Sequence, residues 1–254
     1  MTKITYATNN GSKFDNQDSI LIDDVLLNRT SMDRASKKEL SKKSFVCAVA
    51  DGVSSSKHSD LAGKMVLETL KESIDTIPVF SVRKLVYKIQ NKLANYAIAN
   101  RKYGGMASTL AAIYFEDNSA HIFNIGDSRI YLFRDKQFKQ LSKDHTQAQR
   151  MLDRGEITRE EFESSSDIYN MLEGYFVAGE LDEDEIPIEY KKMKLEEDDI
   201  FLICSDGLSD TVTDQEILQV LEDSNLNQNQ KTNKLLDKAV SFQMDNVSLI
   251  LIEI

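Results

Sequence analysis

The 254-residue sequence predicts an α+β fold, a four-layer α/β/β/α sandwich in which helices flank two mainly antiparallel sheets. Two observations favour this fold. Strand-like segments such as Ser44–Ala50 and Val247–Ile254 are almost continuously apolar, so both faces of these strands need cover. Amphipathic helical segments lie before and after a block of strands, and helices packed outside two stacked sheets supply that cover.

In the first part of the chain we predict strands at Lys3–Ala7 and Ser44–Ala50. Residues 23–43 between them are polar and irregular, and we expect a loop with room for one helical turn. Apolar residues then recur at intervals of three to four from Ser59 to Ile74 and from Val82 to Asn100. This spacing predicts two long amphipathic helices, which suit the face of a sheet.

The second part is predicted to begin with a β-meander of three strands, Met106–Phe115, His121–Ile125 and Arg129–Phe133, joined by short turns. The highly charged segment Asp144–Ser166 is expected to be helical and to contribute little core. The remaining predictions are an acidic loop at Asp182–Glu185, strands near Ile188–Lys194 and at Ile200–Cys204, helices at Asp214–Leu221 (with Thr213 as N-cap) and Lys231–Val240, and a last strand at Val247–Ile254.

Composition and charge narrow the class of protein. Two prolines and no low-complexity stretch leave no linker, which favours one domain over residues 1–254. The net charge is −11 and the Lys and Arg residues are scattered, which argues against a nucleic-acid partner. Cys47 and Cys204 lie in apolar strands and indicate neither disulfides nor a thiolate metal site. Without a signal-like or membrane-spanning apolar segment, we expect a soluble cytoplasmic protein with no membrane partner.

Acidic residues recur beside the apolar segments. The aspartates concerned are Asp18, Asp51, Asp127, Asp206 and Asp245. Asp51 and Asp206 come after apolar runs and precede a glycine, an arrangement that taken alone is more often an ordinary tight turn. Its repetition along the chain instead favours a site built from carboxylates at the edges of strands.

Carboxylates gathered in one place would be ionised near pH 7 if unperturbed and would repel one another strongly. A fold that gathers them needs cations between them. An all-oxygen ligand set, without His or Cys, favours Mg²⁺ or Mn²⁺ over zinc. Two such ions roughly 3.5–4 Å apart can bridge a water molecule, lower its pKa and hold a phosphoryl oxygen for in-line displacement. The sequence therefore predicts hydrolysis of a phosphate ester.

Seven motifs along the chain resemble those of a known family in their order and spacing. They are NQD (Asn16–Asp18), ADG (Ala50–Gly52), GGMASTL (Gly104–Leu110), GDSRIY (Gly126–Tyr131), SKDHT (Ser142–Thr146), SDGLSD (Ser205–Asp210) and DNVSLILI (Asp245–Ile252). The set resembles the metal-dependent serine/threonine protein phosphatases of type 2C in their compact bacterial form, over essentially the whole chain. The resemblance implies hydrolysis of phosphoserine and phosphothreonine in proteins by a water or hydroxide that bridges two divalent metal ions.

The resemblance also implies roles for particular residues. Asp51 would bridge both catalytic ions, Mg²⁺ or Mn²⁺, and the Gly52 carbonyl would help to hold one of them. Asp206 and Asp245 would complete the ligands of the first ion. Asp18 would act on the second ion through water.

Further roles follow from the same resemblance. Asp127 would bind a third, weaker ion shared with Asp206, and Asn246 would orient the ligand beside it. Residues from about 144 to 184 match the family's flap, a mobile subdomain beside the site that influences substrate access. The charged, core-poor composition of this segment suits that role.

The chain departs from the family pattern at four places. Lys13 stands five residues before Asp18, where the family usually has an arginine that binds substrate phosphate; lysine supplies the charge but not a bidentate fork. Residues 53–56, Val-Ser-Ser-Ser, replace a Gly-rich continuation and leave the backbone less free. Gln17 replaces a more frequent acidic residue. Val53 stands where eukaryotic members have a histidine proposed as the general acid.

The group that protonates the leaving serine oxygen is therefore open. His58 is near in sequence, but a surface histidine is the more frequent case, and water is an adequate alternative. His145 is expected to be structural in the flap and His121 to be a sheet residue. Arg129 is expected to form an internal ion pair rather than to bind substrate.

Three functions compete. The leading one is a monomeric protein phosphatase that opposes a cytoplasmic Ser/Thr kinase, with Lys13, Asp51 and Asp206 as catalytic residues; the complete set of expected metal-binding aspartates favours it. The second is a catalytically weak regulatory or binding module with the same fold, indicated only by Lys13 and Ser54–Ser56. The third is a Mg²⁺- or Mn²⁺-dependent hydrolase of small phosphate esters.

Overall fold

The computed structural model describes residues 1–73, 82–164, 171–181 and 183–254. In chain order the strands are β1 (Thr2–Asn9), β2 (Ser19–Ile22), β3 (Val25–Asn28), β4 (Ser36–Leu40), β5 (Ser44–Ala50), β6 (Ala107–Ser108), β7 (Leu110–Glu116), β8 (Ser119–Ile125), β9 (Arg129–Arg134), β10 (Gln137–Gln140), β11 (Phe176–Val177), β12 (Glu189–Lys194), β13 (Ile200–Cys204) and β14 (Val247–Glu253). The helices are α1 (Ser59–Ser73), α2 (Val82–Ala99), α3 (Gln147–Asp153), α4 (Arg159–Ser164), α5 (Asp206–Ser209), α6 (Asp214–Glu222) and α7 (Gln228–Ser241).

The strands form two six-stranded sheets and a small pair of β11 with β6. One sheet has the order β10-β9-β13-β14-β1-β4 and the other β12-β8-β7-β5-β2-β3, and every strand pair in the described residues is antiparallel. Helices α5, α6 and α7 cover the first sheet, and α1 and α2 cover the second. The predicted α+β sandwich of two mainly antiparallel sheets flanked by helices is confirmed.

Strand β14 shows why the strands are apolar along their whole length. Ile250 and Ile252 lie in the core between the two sheets, whereas Leu249 and Leu251 lie in the core between the sheet and its helices. Side chains alternate between the faces of a strand, so a strand with cover on both sides buries every residue. Each fully buried Leu or Ile contributes about 1.5–3 kcal/mol relative to an exposed one.

Residues 23–43 do not form the loop that the sequence predicts. They contain β3, which pairs with β2, and β4, which pairs with β1. Both are outer strands of their sheets, and the side chains of β4 alternate between exposed and partly or fully buried positions. An edge strand with one solvated face needs few apolar residues. A search for apolar runs therefore misses β4, whereas β3 is apolar in Val25, Leu26 and Leu27 and is missed because it is only four residues long.

The predicted β-meander over residues 106–133 is wrong in its third strand. β7 and β8 form a hairpin in one sheet, but β9 pairs with β13 and β10 in the other. The chain crosses from one sheet to the other between β8 and β9. This crossing begins at Gly126, which has a φ of +111° and where a Cβ would lie 2.6 Å from the side chain of Thr109. The crossing places Asp127 where the two sheets meet.

The predicted helices agree with the structure apart from their ends. The predicted last residue of the first helix, residue 74, lies outside the described residues. The charged segment 144–166 contains α3 and α4, its first three residues are not helical, and residues 165–166 lie outside the described range. Residue 182 of the predicted acidic loop is also outside that range, and Glu183–Glu185 form a 3-10 turn.

Two further observations concern the helices. Thr213 caps α6 as predicted, in a capping box with Glu216. Among the helices in the described part of the chain, none combines the length and the apolar character needed to cross a bilayer.

Candidate metal centre

The five aspartates singled out from the sequence lie at one end of the sandwich. In one sheet, Asp51 follows β5 and Asp18 precedes β2, and the antiparallel pairing of these strands places both residues at the same edge. In the other sheet, the same holds for Asp206 after β13 and Asp245 before β14. Asp127 lies on the crossing between the sheets. The two sheets therefore bring all five carboxylates to a common edge.

Two glycines allow the backbone segments at this edge to approach closely. Asp206 is the first residue of α5, a single helical turn where the sequence predicts a plain turn. A Cβ on Gly207 would lie 1.9 Å from the carbonyl oxygen of Asn246, so α5 can lie against the start of β14 only with glycine there. A Cβ on Gly52 would lie 2.8 Å from the Gln17 carbonyl oxygen.

Asp51 and Asp206 lie close enough for their carboxyl groups to interact electrostatically. Burial raises the pKa of both carboxyl groups. Repulsion raises the pKa of Asp51 further, and the carboxylates responsible are Asp206, Asp18 and Asp127. The fold thus holds these acids together against their repulsion.

Asp18 is the most deeply buried of the five, with 1% of the residue exposed. Its Oδ2 accepts a 2.8 Å hydrogen bond from Ser205 Oγ, whereas its Oδ1 has no hydrogen-bond partner among the described residues. Burial, with repulsion by Asp206 and Asp245, raises the pKa of Asp18 to about 7. A buried carboxylate oxygen without a partner is costly, and a cation would remove that cost.

Asp127 lies beside an internal ion pair. Burial raises the pKa of Asp127 well above its usual range, and repulsion by Asp206 and Asp144 raises it further. Arg129 pairs with Asp144 at 2.7 Å, as the sequence predicts. Burial lowers the pKa of Arg129, but the Asp144 carboxylate outweighs burial and raises the pKa overall. Arg129 is therefore engaged within the protein.

Three hydroxyl side chains that we did not single out from the sequence hold the site in place. Ser205 donates to Asp18, as described above. Thr109 Oγ1 accepts the backbone N–H of Asp51 at 3.0 Å, and Ser108 Oγ donates to the Asp51 carbonyl oxygen at 2.9 Å. All three stand within the motifs GGMASTL and SDGLSD, and that position in the sequence is the only signal that pointed to them.

Asn246 holds the loop of residues 10–17. Its Nδ2 donates to the carbonyl oxygens of Asn10 at 3.0 Å and Asp15 at 3.1 Å. Its Oδ1 accepts the backbone N–H of Gln17 at 2.8 Å. The side chain of Asn246 therefore fixes this loop, whereas it is the backbone N–H of Asn246 that donates to the Asp245 carboxylate, at 2.7 Å.

Lys13 lies in this loop at the surface of the site. Its Nζ is 3.3 Å from Asp245 Oδ2. Lys13, Asp206 and Asp245 are among the residues that line a cleft of about 240 Å³. The predicted phosphate-binding charge therefore opens onto the same cleft as two of the predicted metal ligands.

The three histidines have separate surroundings. His145 Nδ1 accepts the backbone N–H of Gly126 at 3.0 Å, and burial lowers the pKa of His145 to about 4, so this residue is neutral and structural, as predicted. His121 is buried in β8, as predicted, with its Nδ1 3.0 Å from the hydroxyl of Tyr190. His58 is exposed just before α1, with a φ of +61°.

The residues at this edge fit a divalent cation in their chemistry. The available ligands are carboxylate oxygens with a backbone carbonyl, the donors that Mg²⁺ and Mn²⁺ prefer. The free Oδ1 of Asp18 and the repulsion between Asp51 and Asp206 mark places that a positive charge would stabilise. Within the described ranges, no three His, Cys, Asp or Glu side chains stand around a common point.

Two relatives align with more than two thirds of this chain. The chain is 27% identical over 217 residues to the serine/threonine phosphatase stp of Listeria monocytogenes, an alignment that covers 82% of this chain and 84% of the relative. It is 34% identical over 184 residues to the serine/threonine protein phosphatase PstP of Mycobacterium tuberculosis, which covers 69% of this chain and 34% of that longer protein.

Solved structures share the fold over the full length. The serine/threonine phosphatase Stp1 of Staphylococcus aureus superposes with a TM-score of 0.81 at 25% identity, covering 100% of this chain and 95% of that one. The catalytic domain of the phosphatase PstP, solved in complex with two manganese ions, superposes with a TM-score of 0.74 at 26% identity, covering 100% and 99%. The family model of protein phosphatase 2C matches residues 28–241, which is most of the sequence. The chain therefore belongs to the protein phosphatase 2C family.

Proposed function

We propose that this protein hydrolyses phosphoserine and phosphothreonine in other proteins with the help of Mg²⁺ or Mn²⁺. The observation that carries the proposal is the convergence of five carboxylates from both sheets at one edge, with a buried oxygen of Asp18 left without a partner. The names of the relatives support the same activity.

The aspartates would hold two catalytic ions. Asp51 would contact both ions, and the Gly52 carbonyl would join it on one of them. Asp206 and Asp245 would complete the first ion's ligands, while Asp18, fixed by Ser205, would act on the second through water. Divalent ions held there would lower the pKa of a water molecule and neutralise charge on the phosphoryl oxygens.

Other residues have supporting roles. Asp127 would share a third, weaker ion with Asp206. Lys13 would leave Asp245 and bind the substrate phosphate at the surface of the cleft. We assign catalysis to the phosphate-binding lysine and to two of the metal-binding aspartates, namely Lys13, Asp51 and Asp206.

We further propose a single domain over residues 1–254 with a flap over approximately residues 144–184. Two hydrogen bonds between His145 and Gly126 attach this segment beside Asp127. In α3 only Ala148 is buried, so little core ties that helix to the sandwich. We place the protein in the cytoplasm as a monomer that opposes a Ser/Thr kinase, with phosphorylated proteins as its substrates.

The test is phosphate release from a phosphothreonine peptide in the presence of Mn²⁺, Mg²⁺ or EDTA. The parent should release phosphate only with metal, and Asp206→Asn should lose at least about 100-fold of the rate because it removes a ligand. The matched control is Asp237→Asn. Asp237 lies on α7 in an exposed ion pair with Arg34, and this variant should retain the parent rate.

Two outcomes would replace the proposal with its alternatives. Release from sugar or nucleotide phosphates but not from phosphopeptides would indicate a small-ester hydrolase. A folded, metal-loaded parent that binds the phosphopeptide and releases nothing would indicate a binding module.

A further inference from the structure

Two exposed apolar side chains, Phe14 and Met244, lie on two chain segments that are hydrogen-bonded to each other, and Met244 lines the cleft that contains the predicted phosphate-binding lysine. The cleft is lined by Lys13, Asp206, Gly207, Asp210, Thr211, Met244 and Asp245. Met244 is the apolar member of this otherwise polar lining and is 56% exposed. Phe14 directly follows Lys13 and is 96% exposed. Neither residue belongs to the three hydrophobic cores, so packing within this chain does not account for them.

The backbone around both residues is fixed. Ser12 Oγ donates to the carbonyl oxygen of Met244 at 2.8 Å, which joins the two segments directly. The Lys13 backbone N–H donates to the Asn10 carbonyl oxygen at 2.9 Å, closing a turn just before Phe14. Asn246 bonds the same loop on both sides of Phe14, as described above. The exposure of Phe14 is therefore a property of a tethered loop and not of a loose one.

A phosphorylated residue in this cleft would bring its chain neighbours to these side chains. This step rests on the proposed function, in which Lys13 binds the phosphate. Consecutive residues of an extended peptide lie about 3.3 Å apart along the strand. A side chain one or two positions from the phosphothreonine can therefore reach the residue that follows Lys13. Met244 and Phe14 give this polar part of the surface apolar area that a side chain of the substrate can cover.

We infer that Phe14 and Met244 form a specificity surface for a bulky apolar side chain located one or two positions from the phosphorylated residue of the substrate protein. The preferred substrate is then a phosphothreonine or phosphoserine flanked by Leu, Ile, Met or Phe. Contact with Phe14 and Met244 removes apolar surface of both partners from water, so it favours such a substrate over one flanked by alanine.

The experiment compares two phosphothreonine peptides that differ only in having Leu or Ala at the two positions on each side of the phosphothreonine. For the Mn²⁺-loaded parent, kcat/KM should be about tenfold higher for the Leu peptide, the size of one good apolar contact. Phe14→Ala and Met244→Ala should each reduce this ratio to about threefold or less, and the double variant should bring it close to one. Ile98→Ala, which truncates a residue 72% exposed on α2, should keep the parent ratio.

The outcomes separate this inference from the proposed function. Equal kcat/KM of the parent for both peptides would overturn the specificity surface while leaving the phosphatase activity in place. An unchanged ratio in the double variant would also overturn it, as would an equal loss in Ile98→Ala. Absence of release from either peptide, with metal bound, would contradict the proposed function itself.

Discussion

Lys13 is bound to Asp245 only weakly. The two side chains are 44% and 36% exposed, and an exposed ion pair of this kind contributes between about 0 and 1 kcal/mol. Lys13 can therefore leave Asp245 for a phosphate oxygen at little cost. Its ammonium group supplies a point charge, whereas an arginine there would supply a planar fork of donors.

Replacing Lys13 with methionine keeps much of the side chain's length and removes the charge. We expect KM for a phosphothreonine peptide to rise about tenfold and kcat to change by less than about threefold, because a charged hydrogen bond to phosphate is lost. Lys13→Arg should match the parent or lower KM. Steady-state kinetics at saturating Mn²⁺ measure both constants. An unchanged KM in Lys13→Met would remove Lys13 from phosphate binding.

The aspartates of the site were predictable from the sequence, whereas the hydroxyl side chains that hydrogen-bond to them were not. Asp51 and Asp206 are recognisable because each comes after an apolar run and precedes a glycine. Ser205 and Thr109 act through hydrogen bonds to residues that the fold brings close, and nothing in their local sequence sets a structural hydroxyl apart from a surface one. The contact between Asp51 and Asp206 depends on both sheets and has no local signal.

The single turn of α5 positions Asp206 through a backbone contact rather than through side chains. Its Gly207 lies so close to the Asn246 carbonyl oxygen that a methyl group has no space. Any larger residue must push α5 away from the start of β14, and therefore separate Asp206 from Asp245.

We expect Gly207→Ala to lower the free energy of unfolding by about 2–3 kcal/mol, since overpacking against backbone forces the backbone to shift. Gly179→Ala is the matched control, because a Cβ there meets nothing within 4 Å, and it should stay within about 0.5 kcal/mol of the parent. Urea unfolding in EDTA measures both variants without any contribution from bound metal. Equal stability of the two variants would mean that α5 can move freely.

Strands were predictable where both of their faces are buried, and helices where one face is apolar. β5, β13, β14 and the long helices follow directly from their apolar patterns. The edge strand β4 was missed because one of its faces is solvated and polar, and β3 was missed because its apolar run is short. The position of β9 in the opposite sheet escaped because the short turn at Gly126 is equally compatible with a hairpin, and only long-range pairing with β13 distinguishes the two.

When metal is absent, the clustered aspartates lower the stability of the folded protein. The pKa of Asp18 rises from 3.8 to about 7 on folding, and those of Asp51, Asp127 and Asp206 also rise. A group with a raised pKa contributes stability that is complete below its unfolded pKa and is lost as pH rises through its folded pKa. The protein without metal should therefore lose stability between pH 4 and pH 8.

In EDTA we expect the free energy of unfolding to fall by on the order of 2 kcal/mol between pH 5 and pH 8 through Asp18 alone. Asp18→Asn should reduce this dependence, whereas the exposed control Asp237→Asn should retain it. Saturating Mn²⁺ at pH 8 should restore stability, because an ion that binds only the folded state favours it. Urea unfolding at each pH measures these values. A flat pH profile of the parent in EDTA would contradict the expectation.

The position of β14 in its sheet determines when the protein can fold during translation. β14 lies between β13 and β1, and Lys3 and Glu253, paired at 2.7 Å, are 250 positions apart in sequence. During translation β1 therefore emerges long before its neighbour in the sheet exists, and such distant pairing slows folding. A nascent chain that stops before residue 245 lacks one predicted ligand and the strand that joins β13 to β1. Premature termination before residue 245 should thus release no active fragment, because the ribosome must pass the last aspartate before the site can assemble.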